Sequence, residues 1–320
     1  MAKSSSGRAE GDRHRNGERA SYKSDPTGGR LRRTSSAGKL HDHHHHGPHG
    51  AGWYFDLSRR PLQMLLFLAP LIVLYAIGSM RYGTDLLTGK VVSIRAYERL
   101  VDFFAIFGVT GLYLPGAALV LILLIWHILT RDKWEIHLGV PVVMWIESAV
   151  LALPLLVTDQ TLTRLDLGGV GNSGGLIRLE GFSSFFSWAA MASPLSSFPW
   201  QTRMVLGVGA GLYEELLFRM LGIALLHFVF VDILLMKDRT GLFLAVIVSA
   251  ACFMMYHDLT PGGATAVEFQ LAIFYFLSGL YFGALFVLRG FGIAVGVHAI
   301  YDILVIVILP SVHSLSAASY

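Results

Sequence analysis

Gly211-Leu212-Tyr213-Glu214-Glu215-Leu216-Leu217-Phe218-Arg219 decides how this chain is read. Two adjacent carboxylates and an arginine stand in the middle of an apolar run over residues 204–235. About 20 apolar residues cross a bilayer, so the run reads as a membrane span and the three charges lie inside it. Each charge there costs about 2.5–3.5 kcal/mol on the mild insertion scale. A chain that keeps all three must pair them, wet them or use them. Glu215 and Arg219 are four apart, share a helix face and can pair, which on its own is a structural role. Glu214 is turned ~100° from Glu215 at ~3.6 residues per turn, so it can face a different neighbour and remain available for chemistry.

The composition agrees with a polytopic membrane protein. Hydrophobic residues make up 54% and charged residues 15%, against about 25% charged in an ordinary soluble domain; mean hydropathy is +0.57. The basic excess is local. Residues 1–60 hold 12 Lys+Arg against 6 Asp+Glu, and the remainder is net acidic, so the charge describes a tail and no nucleic-acid surface. Cys252 is the single cysteine, so no disulfide can form within the chain. No cleavable signal peptide is read, because the first apolar stretch begins only after Arg60.

Outward from the charged run, the chain divides into a basic, His-rich tail (1–52) expected to be disordered, membrane helices and loops (53–200), a core (201–310) and a short tail (311–320). The His41 to His49 cluster is a low-complexity tail or an expression artefact rather than a metal site. Trp53, Tyr54, Arg59 and Arg60 form an interfacial anchor. About seven spans are expected, at 61–79, 108–129, 136–158, 203–235, 241–257, 267–288 and 290–309. Residues 180–200, apolar but broken by Ser and Pro, read as an interfacial or re-entrant piece. The 80–100 and 159–179 segments read as loops, with some helix in the first. Lys/Arg placement puts the N-terminus on the cytoplasmic side of a cell membrane, although the 80–100 loop carries Arg81, Lys90, Arg95 and Arg99 on the nominally outer side. Gly207/Gly211, Gly279/Gly283 and Gly292/Gly296 recur at helix-packing spacing.

Three polar sets fall in the last four expected spans: Glu214, Glu215 and Arg219; His257, four after Phe253; and His298 with Asp302, four apart and on one helix face. Glu214 lies ~16 Å into its span at ~1.5 Å per residue, and His298 lies at a similar depth, so one cavity can contain them. Singly, His257 is an interfacial histidine and His298 a partner of Asp302. Together they read as a functional site, since intramembrane ionisable residues are functional by default. Glu147 and His227 are solitary and read as structural. The G-x-S-x-G match at residues 171–175 lies in a polar, Gly-rich loop without the strand-to-helix turn it needs, and H-E-x-x-H is absent.

Read in order, Glu214-Glu215-Leu216-Leu217-Phe218-Arg219, Phe253-Met254-Met255-Tyr256-His257 and His298-Ala299-Ile300-Tyr301-Asp302 resemble the E-E-x-x-x-R, F-x-x-x-H and H-x-x-x-[N/D] motifs of the CAAX protease and bacteriocin-processing (CPBP/Abi) family of intramembrane endopeptidases. The resemblance covers about residues 203–309. It implies an all-α membrane bundle around a polar cavity and peptide-bond hydrolysis by a glutamate-activated water. Carried over, Glu214 is the general base, His257 holds and polarises the water, His298 and Asp302 stabilise the oxyanion, and Glu215 and Arg219 brace the site. A carboxylate in a low-dielectric cavity is a better base near neutrality. Asp302 departs from the asparagine best understood at that position: ionised, it would repel an oxyanion, so either it is protonated or, the reading favoured by the four-residue spacing, it orients and charges His298, which then donates. No metal is required, although Glu214, His257 and His298 could ligate a divalent cation. The expected partners are a protein or peptide substrate and the bilayer. The alternatives are a catalytically silent scaffold or immunity-type protein of the same family, and an ion-coupled transporter, which the lack of repeated, interrupted helices disfavours.

Overall fold

The computed structural model describes residues 51–83, 93–106, 108, 111, 113–164, 198–259 and 269–309. Every regular element among them is helical. The His41 to His49 cluster, the 171–175 loop and residues 180–197 lie outside the described residues. The helices are α1 (Ala51–Ser58), α2 (Pro61–Tyr82), α3 (Arg95–Ile106), α4 (Leu114–Leu129), α5 (Gly139–Arg164), α6 (Trp200–Ile233), α7 (Asp238–Tyr256), α8 (Phe269–Arg289) and α9 (Phe291–Ile308). Six of them, α2 and α5 to α9, are long and apolar enough to cross a membrane. The chain is a multi-pass helical membrane protein.

Expectation and structure part at α4. The span expected over 108–129 is helical only from Leu114, and its 16 residues reach about 24 Å, short of the ~30 Å apolar core. Pro115, in its first turn, is where a missing N–H costs least. The helix anticipated within 80–100 is α3, whose Tyr97 ring meets Tyr75 of α2 and Tyr213 of α6 at 5.8 and 5.3 Å. Helix α5 continues past 158 to Arg164, taking in the start of the expected loop.

Antiparallel neighbours fix the two ends of the bundle. Arg289, closing α8, reaches Glu147 in the first half of α5 and Ser58 at the close of α1, which ties these three helices together at the α1 end. At the opposite end Thr202, opening α6, donates to the carbonyl of Tyr82 at the close of α2. Gly290, at φ +90°, turns the chain from α8 straight into α9, a conformation that favours glycine. Helix α9 is central, packed against α6, α5 and α8. It approaches α6 closely because Gly211 has no side chain: a Cβ there would sit 2.7 Å from the Ala299 nitrogen. Ile77, Val142 and Ile146 point outward and are exposed, as on a surface that lipid covers.

Helix α6 carries the charges through a change of helical pitch. It is α-helical over Trp200–Glu215 and π-helical over Leu216–Ile223. Such widened turns are rare and concentrate at functional sites. Ser249 of α7 donates to the Phe218 carbonyl within that stretch at 2.8 Å, tying α7 to α6 beside Arg219.

Candidate active site

The structure brings the three separated motifs together. Helix α6 supplies Glu214, Glu215 and Arg219, the end of α7 supplies His257, and α9 supplies His298 and Asp302. Glu214, His257, His298 and Asp302 line one cavity of about 410 Å³. Other walls include Leu206, Gly207 and Ala210 of α6, Phe274, Tyr275 and Ser278 of α8, and Ser93 and Ile94 just before α3. These segments include the start of α6, the ends of α7 and α9 and the first half of α8. The cavity therefore belongs to the half of the bundle away from α1.

Glu215 and Arg219 are fully buried, with Arg219 Nε 3.2 Å from Glu215 Oε2. The other Glu215 oxygen stands 2.7 Å from His298 Nδ1. Arg219 lays its guanidinium 4.2 Å from the Phe253 ring centre and 5.2 Å from that of Phe282, and Nη2 donates to the Gly279 carbonyl at 3.4 Å. A desolvated cation over an aromatic face gains ~2 kcal/mol. The pair expected from the four-residue spacing is present, and it extends to His298. That is a difference from expectation: Asp302 Oδ2 is 3.7 Å from His298 Nε2, so Glu215, not Asp302, is the close carboxylate partner of that ring.

The imidazoles converge on Glu214. His257 Nε2 lies 3.7 Å and His298 Nε2 3.8 Å from Glu214 Oε2, an oxygen with no hydrogen-bond partner among the described residues. His257 Nδ1 stands 2.8 Å from the Phe253 carbonyl. A carbonyl only accepts, so Nδ1 carries the proton, and in the neutral ring Nε2 is then the lone-pair nitrogen. The same argument gives His298 an Nδ1–H directed at Glu215. Among the described residues no group of three His, Cys, Asp or Glu side chains is arranged to hold a metal ion.

Aromatic residues fix both rings. Tyr275 stacks on His257 with centroids 4.0 Å apart, and Phe282 stacks on His298 at 4.5 Å. The Tyr256 phenol interacts with the Glu214 carboxylate and the Ala96 backbone. None of Tyr256, Tyr275 and Phe282 was singled out by the sequence reading. A signal existed for the two in α8: residues 275, 278 and 282 follow an i, i+3, i+7 stripe. Tyr256, beside His257, had none.

Away from the cavity, Glu147 is not solitary. Arg289 Nε and Nη2 reach its two oxygens at 2.6 and 2.7 Å, and Tyr54 donates to it as well. Burial and the adjacent carboxylate hold the Tyr54 phenol far above its ordinary pKa, so it stays a donor. His227 meets Asp238 at 3.0 Å on an exposed edge.

Fold and site together define a multi-pass membrane protein with paired glutamates and two histidines converging in an intramembrane cavity. Residues 196–304 match the family described as "Rce1-like: Type II CAAX prenyl endopeptidase Rce1-like", and all three motifs lie inside that segment. The resemblance drawn from the motifs is thus found independently. No curated protein and no solved structure matches the chain.

Proposed function

We propose that this protein is an intramembrane endopeptidase that hydrolyses a peptide bond of a membrane-associated or exported protein by a glutamate-activated water. The observation that carries this reading is the approach of two imidazole Nε2 atoms to the free Glu214 oxygen, at 3.7 and 3.8 Å, inside the cavity. Gaps of that length suit a shared water rather than direct hydrogen bonds. Glu214 takes the water proton as hydroxide adds to the scissile carbonyl carbon, while His257 orients that water through Nε2. The tetrahedral oxyanion is held by His298, which donates from Nε2 as an imidazolium. Glu215 on Nδ1 supports that charge, and Asp302 supports it from the side. Glu214 then returns the proton to the leaving amine as the C–N bond breaks. Glu215 and Arg219 set the His298 ring and do not touch substrate. The base is a carboxylate, so this route asks for no metal. With α1 cytoplasmic, as the basic tail suggests, the cavity half faces the other side of a cell membrane.

The test compares wild type with Glu214→Ala, Glu214→Gln and His298→Ala in native membranes, following new protein termini in the membrane and secreted fractions. Termini that vanish in all three variants, each still folded and inserted, support hydrolysis. Removing a general base is expected to cost about 10²–10⁴-fold in rate. Unchanged termini would sink the catalytic reading in favour of a binding scaffold.

A further inference from the structure

Helix α8 carries none of the three motifs, yet one of its side chains is unexplained by packing. Ser278 is 4% exposed, lines the cavity, and its Oγ has no hydrogen-bond partner among the described residues. Serine and threonine in a helix ordinarily donate back to the carbonyl four residues earlier. Ser79, Thr130, Thr158 and Thr161 all do so in this chain. A buried hydroxyl left unpaired costs about 1–3 kcal/mol. Ser148, the other buried serine without a partner, lies at the α9 contact with Gly296 and lines no cavity described above. Ser278 differs in belonging to a residue that lines the cavity.

Its position matches the reacting centre. Tyr275, a turn earlier, stacks on His257, and Phe282, a turn later, stacks on His298. Ser278 therefore stands on the α8 stripe between the residues that hold the two imidazoles, and those imidazoles flank the Glu214 oxygen. Arg219 donates to the carbonyl of the next residue, Gly279, and Gly279 lies so close to α7 that a Cβ would sit 2.9 Å from the Ala250 Cα. The helix is thereby pinned at this level. Asp302 offers no N–H where an amide side chain would, which leaves the oxyanion short of a neutral donor.

Resting on the proposed hydrolysis, we infer that Ser278 is a catalytic residue whose hydroxyl donates to the scissile carbonyl oxygen as it becomes an oxyanion, alongside His298. A donor used mainly in the transition state lowers kcat and leaves KM nearly unchanged when removed; comparable donors are worth about 10²–10³-fold.

The test uses full-length protein in proteoliposomes with an internally quenched prenylated peptide, or with the substrate revealed by the terminus comparison. Ser278→Ala is expected to lower kcat by about 10²-fold with KM within about two-fold, while Ser278→Thr, which keeps the hydroxyl, recovers most of the rate. Thermal unfolding separates a structural role. Removing an unpaired buried hydroxyl should leave the midpoint unchanged or raised, so a fall in rate accompanied by a fall in midpoint overturns the inference. Glu214-dependent cleavage that survives Ser278→Ala overturns this inference alone. The absence of any Glu214-dependent cleavage overturns the proposed hydrolysis and this inference with it.

Discussion

Two carboxylate–arginine pairs lie inside this bundle, one partly buried at the α1 end and one fully buried beside the cavity, and they are built to different ends. At the α1 end both Glu147 oxygens are engaged, by a two-pronged Arg289 and by Tyr54, and Arg289 also donates to Ser58 and lies 4.2 Å from the Phe55 ring centre. That cluster joins α1, α5 and α8 as a staple. In the cavity half, the Glu215–Arg219 pair uses one helix, passes its second oxygen to His298, and leaves neighbouring Glu214, which lines the cavity, with an unpaired oxygen. A satisfied polar network fixes geometry; a group left short of partners inside it is where a substrate or water can enter. The charge type is alike; the difference lies in the completeness of carboxylate pairing and in burial, the cavity pair being fully buried and the Glu147–Arg289 pair only partly.

The sharpest way to break the comparison is at the cavity pair. Arg219→Leu leaves Glu215 buried against His298 without its cation, and breaking a buried pair from one side costs about 3–5 kcal/mol. Unfolding in detergent should show a loss of that order, and activity should fall further than the folded fraction does, because the His298 ring loses its fixed partner. Wild-type stability in Arg219→Leu would show that the pair is ornamental.

Arg289→Leu should behave otherwise. Hydrogen bonds to charged groups contribute about 1.5–3 kcal/mol, so the unfolding free energy should drop by that amount. The rate per folded molecule should stay unchanged, because no Arg289 contact reaches the cavity. A fall in kcat at full folding would join the two ends functionally and undo the distinction.

The local grammar of the site was legible in the sequence, and its long-range pairing was not. The charged run in an apolar context announced a span, and four-residue spacings announced Glu215–Arg219 and the His298–Asp302 face. The close partner of His298 proved to be Glu215, 83 residues away, and Glu147 found Arg289 at a separation of 142. Helical periodicity carries no information about such contacts; they follow from which helices pack side by side. Only the start of α4 was over-read, for a related reason: an apolar run sets an upper limit on a span, whereas the helix within it begins where Pro115 allows; the segment after it still returns to the start of α2, where Asp132 meets Arg60. The α8 stripe could have been noticed from its spacing, but its meaning depended on histidines supplied by α7 and α9.

The subtlest prediction concerns how the cavity half holds its geometry. Gly211 stands one turn before Glu215 and faces Ala299, the residue after His298. A Cβ at 211 would meet backbone, 2.7 Å from the Ala299 nitrogen and 2.9 Å from its Cα, and backbone cannot step aside. At Gly283 the nearest atom to an added Cβ is the Val246 Cγ1, at 2.8 Å, the end of a side chain that can shift. Both are small-to-large changes, which in tight packing cost about 1–3 kcal/mol. Gly211→Ala should fall within that range and Gly283→Ala at its lower edge. The informative reading is the ratio of activity to stability. Displacing α9 from α6 moves His298 relative to Glu214, and misplacement by ~1 Å can cost about 10²-fold in rate. Gly211→Ala should therefore lose activity well beyond its loss of stability, while Gly283→Ala, acting between α8 and α7, loses the two in proportion. Equal ratios in the two variants would mean that the α6–α9 contact supports the fold without tuning the site.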